Sequence, residues 1–183
     1  MFGISEDIEF VAINIAVMTV SDSRTPDDDR SGDLLASRIA EDGHVLADRR
    51  IITDDVPKIV AQLRAWIDDR NIDVVIATGG TGLTGRDSTP EAFAQIVEKD
   101  IPGFGELFRY LSFAKIGTST VQSRAMAGVA GGTYLFALPG SPSGCRDGWD
   151  DILRYQLDIR HRPCNFVEIM PRLTESATVR RTG

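Results

Sequence analysis

Residues 72–93, IDVVIATGGTGLTGRDSTPEAF, predict a strand, a glycine loop and the start of a helix. The first residues are apolar and mostly β-branched, a pattern typical of a parallel strand that is covered on both faces. Glycines then occur at positions 79, 80, 82 and 85, and glycine lets another group approach the main chain closely. We expect a helix to begin at Ser88 or Thr89, with Glu91 completing a capping box if Ser88 is the cap.

Two interpretations of this glycine loop remain open from the residues alone. A loop between a strand and a helix can bind an anion through backbone N–H groups and the helix dipole, which would make it a nucleotide-phosphate site with Asp87 beside it. The alternative is a sharp turn that needs glycine for its geometry. The loop contains no P-loop lysine. Residues 80–85 match G-x-G-x-x-G, but they follow a later strand and lack the acidic partner of a dinucleotide site.

The composition indicates one soluble globular domain. The chain has 183 residues, of which 42% are hydrophobic and 26% are charged. Its net charge of -7 disfavours nucleic acid and membrane surfaces as general partners. No apolar run is long enough to span a membrane, and the acidic N-terminus does not resemble a signal peptide. Cys145 and Cys164 lack C-x-x-C spacing, so we expect reduced thiols and a cytoplasmic protein.

Alternating strand and helix patterns predict a three-layer α/β fold with a mainly parallel sheet. We expect an N-terminal arm at 1–12, one domain at 13–170 and a flexible tail at 171–183. Strands are predicted at 13–20, in the centre of the sheet, and at 45–52, nearer an edge. We expect the helix of the central motif to extend through Ile96 and Val97, and residues 122–126 to be helical. Strands are predicted at 127–130 and 133–138, on either side of a Gly-Gly turn. A further helix is predicted at 149–157.

Acidic residues and polar loops follow the predicted strands. They are Ser21 and Asp22, the pair Asp54 and Asp55, the loop 79–87, and the loop 139–143, which contains Ser141. Because the carboxyl ends of parallel strands lie at one edge of a sheet, we expect these groups to converge on one site. Carboxylates beside a phosphate loop are suited to Mg²⁺. One aspartate of the pair at 54 and 55 would equally serve as a helix cap. We interpret His44 and Cys145 as structural residues.

Several long motifs resemble the molybdenum cofactor biosynthesis family that contains MoaB and MogA. The similarity extends from residue 13 to residue 166, and it is centred on the TGGTGLTGRD and TPE segments of residues 78–91. Further matching segments are TVSD (19–22), DRSG (29–32), PGS (139–141) and RPCNF (162–166). Within the family the chain looks most similar to MoaB, through GFGE (103–106), FR (108–109), IGTST (116–120) and QSRA (122–125).

The resemblance implies a molybdopterin-binding protein that assembles as a homo-oligomer, either a trimer or a hexamer. It also implies an adenylyltransferase: the terminal phosphate of molybdopterin attacks the α-phosphate of Mg-ATP, and pyrophosphate is released. On this resemblance Asp54 and Asp87 are the catalytic residues and position Mg²⁺. Ser21, Arg86, Ser141 and residues 79–82 (Gly79, Gly80, Thr81 and Gly82) would contact the pterin phosphate or the nucleotide. Other molybdenum cofactor synthesis proteins are possible partners.

Two alternatives to an adenylyltransferase remain at this stage. The first is a catalytically silent molybdopterin carrier or scaffold that keeps the same pocket. The second is an unrelated sugar-phosphate or nucleotide-phosphate enzyme on a similar sheet. Asp54 and Asp87 distinguish the first alternative from the enzyme, because a carrier needs neither carboxylate as a magnesium ligand.

Overall fold

The computed structural model describes residues 3–175. Within this range the strands are β1 (Gly3–Ile4), β2 (Asn14–Val20), β3 (Val45–Ile52), β4 (Val74–Thr78), β5 (Lys99–Asp100), β6 (Met126–Ala130), β7 (Thr133–Leu138) and β8 (His161–Arg162). The α-helices are α1 (Arg30–Glu41), α2 (Val56–Ile67), α3 (Thr89–Phe93), α4 (Pro102–Ile116), α5 (Pro142–Gly148), α6 (Arg154–Gln156) and α7 (Phe166–Ile169). Two 3-10 helices cover Gly117–Gln122 and Met170–Arg172, and a π-helical turn covers Trp149–Leu153.

The main sheet has six strands in the order β3-β2-β4-β7-β6-β5. Strands β3, β2, β4 and β7 are parallel to one another, while β6 pairs antiparallel with both β7 and β5. The predicted mainly parallel sheet is therefore confirmed. The strand at 14–20 lies inside the sheet and the strand at 45–52 forms one edge, as their different apolar content indicates.

Helices cover both faces of the sheet, which gives the three predicted layers. Ile15 and Val17 of β2 point to one face, where they join a core formed with α1, α4, α5 and the π-helical turn. Ala16 and Met18 point to the opposite face, where they join a core formed with α2 and α3. This alternation places consecutive residues of a strand on opposite faces, which explains why the central strand β2 is apolar at nearly every position.

Three local predictions differ from the structure. Residues 122–126 are not helical, because the 3-10 helix ends at Gln122 and Met126 begins β6. Pairing of β6 with β7 and β5 supplies backbone hydrogen bonds that a helix here would lose. Helix α3 ends at Phe93, short of Ile96 and Val97, because the chain then turns into β5.

The predicted helix at 149–157 starts earlier than expected. Ser141 accepts a hydrogen bond from the Gly144 N–H and caps α5, which begins at Pro142. Residues 149–153 continue this helix as a π-helical turn, and α6 follows directly. Ser141 is therefore fixed at the carboxyl end of β7, at the edge of the sheet where β2, β3 and β4 also end.

The arm lies against the end of the domain. Strand β1 pairs antiparallel with β8, and Phe10 packs against His44 with a separation of 5.1 Å between ring centroids. Residues 1, 2 and 176–183 lie outside the described range, so most of the predicted tail does too. Among the described residues, no helix has both the length and the apolar character needed to cross a membrane.

Candidate functional site

A cavity of about 900 Å³ lies at the carboxyl ends of β2, β3, β4 and β7. One side is formed by the loops that follow these strands, and the other by α4, the 3-10 helix after it and the start of α5. The sequence-predicted residues that line the cavity are Ser21, Asp22, Asp54, Gly79, Gly80, Thr81, Gly82, Asp87 and Ser141. Separate stretches of the sequence therefore meet at one cavity, as the strand-end argument predicts.

The glycine loop is held by its carbonyl groups. Thr89 donates its hydroxyl to the Gly79 carbonyl at 2.8 Å and its N–H to the Gly80 carbonyl at 3.0 Å. Because a trans peptide places its N–H opposite its C=O, the Gly80 and Thr81 N–H groups face away from Thr89. In the described part of the chain, neither of these N–H groups donates a hydrogen bond.

The two central glycines are required by the loop geometry. Gly79 and Gly80 have φ angles of 101° and 63°, which a residue with a side chain adopts only with strain. A Cβ atom on Gly79 would lie 2.3 Å from the Val20 carbonyl oxygen. A Cβ atom on Gly140 would lie 3.1 Å from the Gly79 Cα, so the loops after β4 and β7 are in contact. Residues 79–81 therefore line the cavity from a loop that packs closely against the loop after β7.

Asp54 links the end of β3 to the start of α3. Its Oδ1 accepts hydrogen bonds from the Ser88 N–H, at 3.1 Å, and from the Ser88 hydroxyl. Ser88 therefore makes no side-chain capping bond, and the predicted capping box with Glu91 does not form. Among residues 3–175, no hydrogen bond is donated to the Asp54 Oδ2. The neighbouring residue, Asp55, is the one that caps α2, by accepting a bond from the Lys58 N–H.

Asp87 closes the far end of the loop. Its Oδ2 accepts hydrogen bonds from the Thr84 N–H at 2.8 Å and from the Thr84 hydroxyl at 2.6 Å. These bonds, with a smaller contribution from the Gly82 N–H, lower the pKa of Asp87 although partial burial opposes the shift. Asp87 therefore presents an ionised carboxylate to the cavity at neutral pH.

Arg86 lies outside the group of residues that line the cavity. Its side chain is 71% exposed and forms an ion pair with Asp22, which does line the cavity. This contact is the main reason that the pKa of Asp22 is lowered. Asp22 also accepts a hydrogen bond from the Asp54 N–H at 3.1 Å. Arg86 is thus positioned at the rim, and its contact with a ligand stays a prediction.

The two serines occupy opposite loops of the site. Ser21 Oγ accepts hydrogen bonds from the N–H groups of Ser23 and Arg24, at 3.3 and 3.2 Å, and so shapes the turn after β2. Ser141 caps α5, as described above. Both hydroxyl groups retain capacity to donate a hydrogen bond to a ligand. Cys145 is buried nearby, and burial raises its pKa to about 11, so it is a poor nucleophile.

Among the cationic residues at or beside the cavity that the sequence did not predict, three make contacts that shape the site. Arg24 lines the cavity and donates to the Gly140 carbonyl at 2.8 Å, which ties the loop after β2 to the loop after β7. Lys115 bridges Asp147 and Asp151 at 2.7 and 2.8 Å. Arg124 binds the outside of the glycine loop. Arg24 follows a strand end and could have been found by that rule, whereas the other two are linked to their partners only by the fold.

The donor set at the cavity fits a magnesium ion that arrives with phosphate groups. Mg²⁺ prefers one or two carboxylates together with water and phosphate oxygens. Asp54 and Asp87 supply the carboxylates, and no group in the described part of the chain donates a hydrogen bond to the Asp54 Oδ2. In the range 3–175 no group of three or more metal-ligating side chains is assembled. The chain therefore offers a partial set of ligands and no complete metal cage.

Comparisons with known proteins point to one family. Residues 16–159 match the family model described as "Probable molybdopterin binding domain". Molybdenum cofactor biosynthesis protein B of Escherichia coli K12 is 49% identical over 158 residues, which cover 86% of this chain and 93% of that protein. A crystal structure of a molybdenum cofactor biosynthesis protein B has a TM-score of 0.81 at 35% identity, covering 89% of this chain and 96% of that one.

A further structural match is the tungsten cofactor synthesizing protein MoaB from Pyrococcus furiosus. It has a TM-score of 0.69 at 34% identity and covers 78% of this chain and 91% of that one. The fold and the family match thus define an α/β protein with a molybdopterin-binding domain. The chain belongs to the family of molybdenum cofactor biosynthesis proteins that includes protein B, MoaB.

Proposed function

We propose that the chain adenylylates molybdopterin with Mg-ATP and releases pyrophosphate. The observation that carries this proposal is the juxtaposition of two kinds of group on one cavity. The Gly80 and Thr81 N–H groups, which have no hydrogen-bond acceptor among residues 3–175, are donors suited to phosphate oxygens. Asp54 and Asp87 are carboxylates suited to a magnesium ion that accompanies those phosphates.

In the proposed reaction an oxygen of the molybdopterin phosphate forms a bond to the α-phosphorus of ATP. The bond between that phosphorus and the oxygen bridging to the β-phosphate breaks, and pyrophosphate leaves with the electron pair. Preorganised N–H donors of the glycine loop hold phosphate oxygens without rearranging, which is the main way a protein assists phosphoryl chemistry. When bound, Mg²⁺ would neutralise charge on the phosphates.

The other cavity residues orient the substrates in this proposal. Ser21 and Ser141 supply hydroxyl donors from the loops after β2 and β7. Arg86 at the rim is a candidate partner for a phosphate that enters or leaves, once its contact with Asp22 opens. Phe108 and Ile116 form an apolar part of the wall, which fits a planar ring system.

We also propose that the chain works as a homo-oligomer, a trimer or a hexamer. Leu107, Tyr110, Phe113 and Ile116 recur every three residues on α4 and are 43, 75, 57 and 56% exposed, respectively. Contiguous exposed apolar side chains favour a protein interface, and Ile116 also lines the cavity. Light scattering after gel filtration tests this, and the proposal predicts that Tyr110→Lys with Phe113→Lys shifts the mass to that of one chain. Other molybdenum cofactor synthesis proteins are further candidate partners for this surface.

A molybdopterin carrier without catalysis is the second candidate. The observation in its favour is that both key carboxylates already have a structural role. Asp54 accepts two hydrogen bonds from Ser88, and Asp87 accepts two from Thr84. Such bonds would be retained to shape a binding pocket even if no metal had to be held.

Pyrophosphate release from Mg-ATP in the presence of molybdopterin tests the enzyme proposal. We expect release by the native chain and a loss of at least about a hundredfold in Asp87→Ala and in Asp54→Ala. Asp68→Ala is the matched control, because Asp68 is exposed at the end of α2 and outside the cavity. Binding of molybdopterin without pyrophosphate release would establish the carrier instead.

A further inference from the structure

Arg124 makes an unusual number of contacts with the glycine loop. Its N–H donates to the Thr81 carbonyl at 3.2 Å, and its side-chain Nε donates to the Gly82 carbonyl at 2.7 Å. One terminal nitrogen donates to the Asp87 carbonyl at 3.0 Å, and the other pairs with Glu91 at the start of α3. The side chain is 29% exposed, so most of it lies within the protein.

These contacts join both ends of the loop to a single side chain. Gly82 and Asp87 line the cavity at the two ends of the exposed turn of residues 83–86, and Arg124 binds the carbonyl of each. Glu91 holds the guanidinium from the opposite side, and this pairing lowers the pKa of Glu91. Because Glu91 belongs to α3, the position of the loop is linked to a helix in the packed core.

We propose that Arg124 is the positioning residue that fixes the glycine loop in the shape that binds the phosphates of the nucleotide. It acts behind the loop: its side chain binds the Gly82 and Asp87 carbonyls and its N–H binds the Thr81 carbonyl, which fixes both ends of the loop. Thr89, which binds the Gly79 and Gly80 carbonyls, orients the Gly80 and Thr81 N–H groups next to this fixed segment. This role rests on the proposed phosphate site and adds a residue that is not itself among those lining the cavity.

The shape of guanidinium explains why arginine is needed. Its planar group carries five donors in fixed directions, whereas lysine has a single nitrogen on a flexible stem. Lysine at this position could neutralise Glu91, but it could not reach the Gly82 and Asp87 carbonyls at the same time. Arg124→Lys therefore keeps the positive charge and removes the planar set of donors. The variant distinguishes the effect of donor geometry from the effect of charge.

Binding of inorganic pyrophosphate, measured by calorimetry, tests the role without requiring turnover. We expect Arg124→Lys to weaken binding at least tenfold, and hydrogen exchange of the Thr84 amide, which donates to Asp87, to become faster. Arg38→Lys is the matched control, because Arg38 is 32% exposed, pairs with Glu41 and Asp150, and lies outside the cavity. It should bind pyrophosphate like the native chain.

Chemical rescue gives a readout that a general loss of stability would not produce. Arg124→Ala should regain pyrophosphate affinity when ethylguanidinium is added, and ethylammonium should not restore it. Native affinity in Arg124→Lys, or equal rescue by both cations, would overturn the proposal. The native chain could bind pyrophosphate in a way that depends on Arg124 and yet show no turnover. That result would rule out the adenylyltransferase proposal and still support the positioning role of Arg124.

Discussion

The carboxylate of Asp54 accepts two hydrogen bonds from one residue, Ser88, through the backbone N–H and the hydroxyl. The two residues are 34 positions apart in the sequence. This pair connects the carboxyl end of the edge strand β3 to the helix that follows the glycine loop. It orients one carboxylate oxygen, while the other accepts no hydrogen bond from any of the residues that the structure describes.

Removing the Ser88 hydroxyl should loosen this orientation. We expect Ser88→Ala to lower the free energy of unfolding by about 1 kcal/mol, the usual contribution of one hydrogen bond. Pyrophosphate release should fall by about tenfold, because Asp54 would sample other rotamers. Ser37→Ala, which removes a hydroxyl that donates to the exposed Glu41, serves as the control in urea unfolding and in the activity assay. Unchanged activity in Ser88→Ala would show that the orientation of Asp54 is unimportant.

Adding one methyl group to the loop should separate essential from replaceable glycines. A Cβ atom on Gly80 would lie 2.4 Å from the Thr89 hydroxyl and 2.9 Å from Asp54 Oδ2, and the φ angle is 63°. We expect Gly80→Ala to cost about 2 kcal/mol or more in denaturant unfolding.

Gly85 belongs to the same loop and offers the matched control for that substitution. A Cβ atom there meets nothing within 4 Å, and its φ is not positive. Gly85→Ala should change the free energy of unfolding by less than about 1 kcal/mol. Equal effects at Gly80 and Gly85 would contradict the described geometry of the loop.

The two thiols should differ strongly in reactivity. Cys145 is fully buried with a pKa raised to about 11 by burial, and its sulfur contacts Thr78 Oγ1 at 3.0 Å. Cys164 is exposed. At pH 8 we expect Ellman's reagent to modify one thiol per native chain quickly and the second only in denaturant. The folded Cys164→Ser variant should then show no fast reaction with the reagent. A fast reaction in that variant would mean that Cys145 is accessible.

Acid should weaken the fold through His44. Burial lowers its pKa below the ordinary value of 6.5, although Asp42 and Asp158 oppose the shift and Arg160 adds to it. The unfolded chain therefore binds this proton more readily than the folded chain does. The stability contribution of neutral His44 is complete above about pH 6.5 and is lost as the pH falls toward the folded pKa, by at most about 1.4 kcal/mol per pH unit.

A variant at this position isolates the effect of His44 from that of other titrating groups. Urea unfolding of the native chain and of His44→Gln should be compared between pH 7.5 and pH 5. The difference between the two free energies should change in this range, because only the native chain carries the titrating imidazole. A constant difference would show that His44 titrates alike in the folded and unfolded chains.

Local sequence patterns were sufficient for the sheet and for much of the candidate site. The apolar run of β4 identified a covered strand, and the rule that ligands bind at strand ends brought Asp54, Asp87 and Ser141 to one cavity. Both inferences start from short stretches of sequence. An apolar run marks each strand, and the residues that follow parallel strands lie at the same edge of the sheet.

The contacts that were missed are all distant in sequence. Arg124 is 42 residues from Gly82 and 37 from Asp87, and no local pattern links them. Ser88 had the sequence of a helix cap, but Asp54 accepts its hydroxyl hydrogen bond instead. The sequence predicts a helix in the segment that contains Arg124, and this prediction is wrong. Pairing between strands outweighs the local helical preference, and a short window of sequence does not show that pairing.

All four carbonyl groups of residues 79–82 accept hydrogen bonds from within the chain, from Thr89 and Arg124. The conformational entropy of ordering this loop is therefore lost during folding and not during binding. An anion that enters the cavity should need no rearrangement of the main chain. Its association rate would then be governed by diffusional encounter, and it should fall in proportion as the viscosity of the solvent rises.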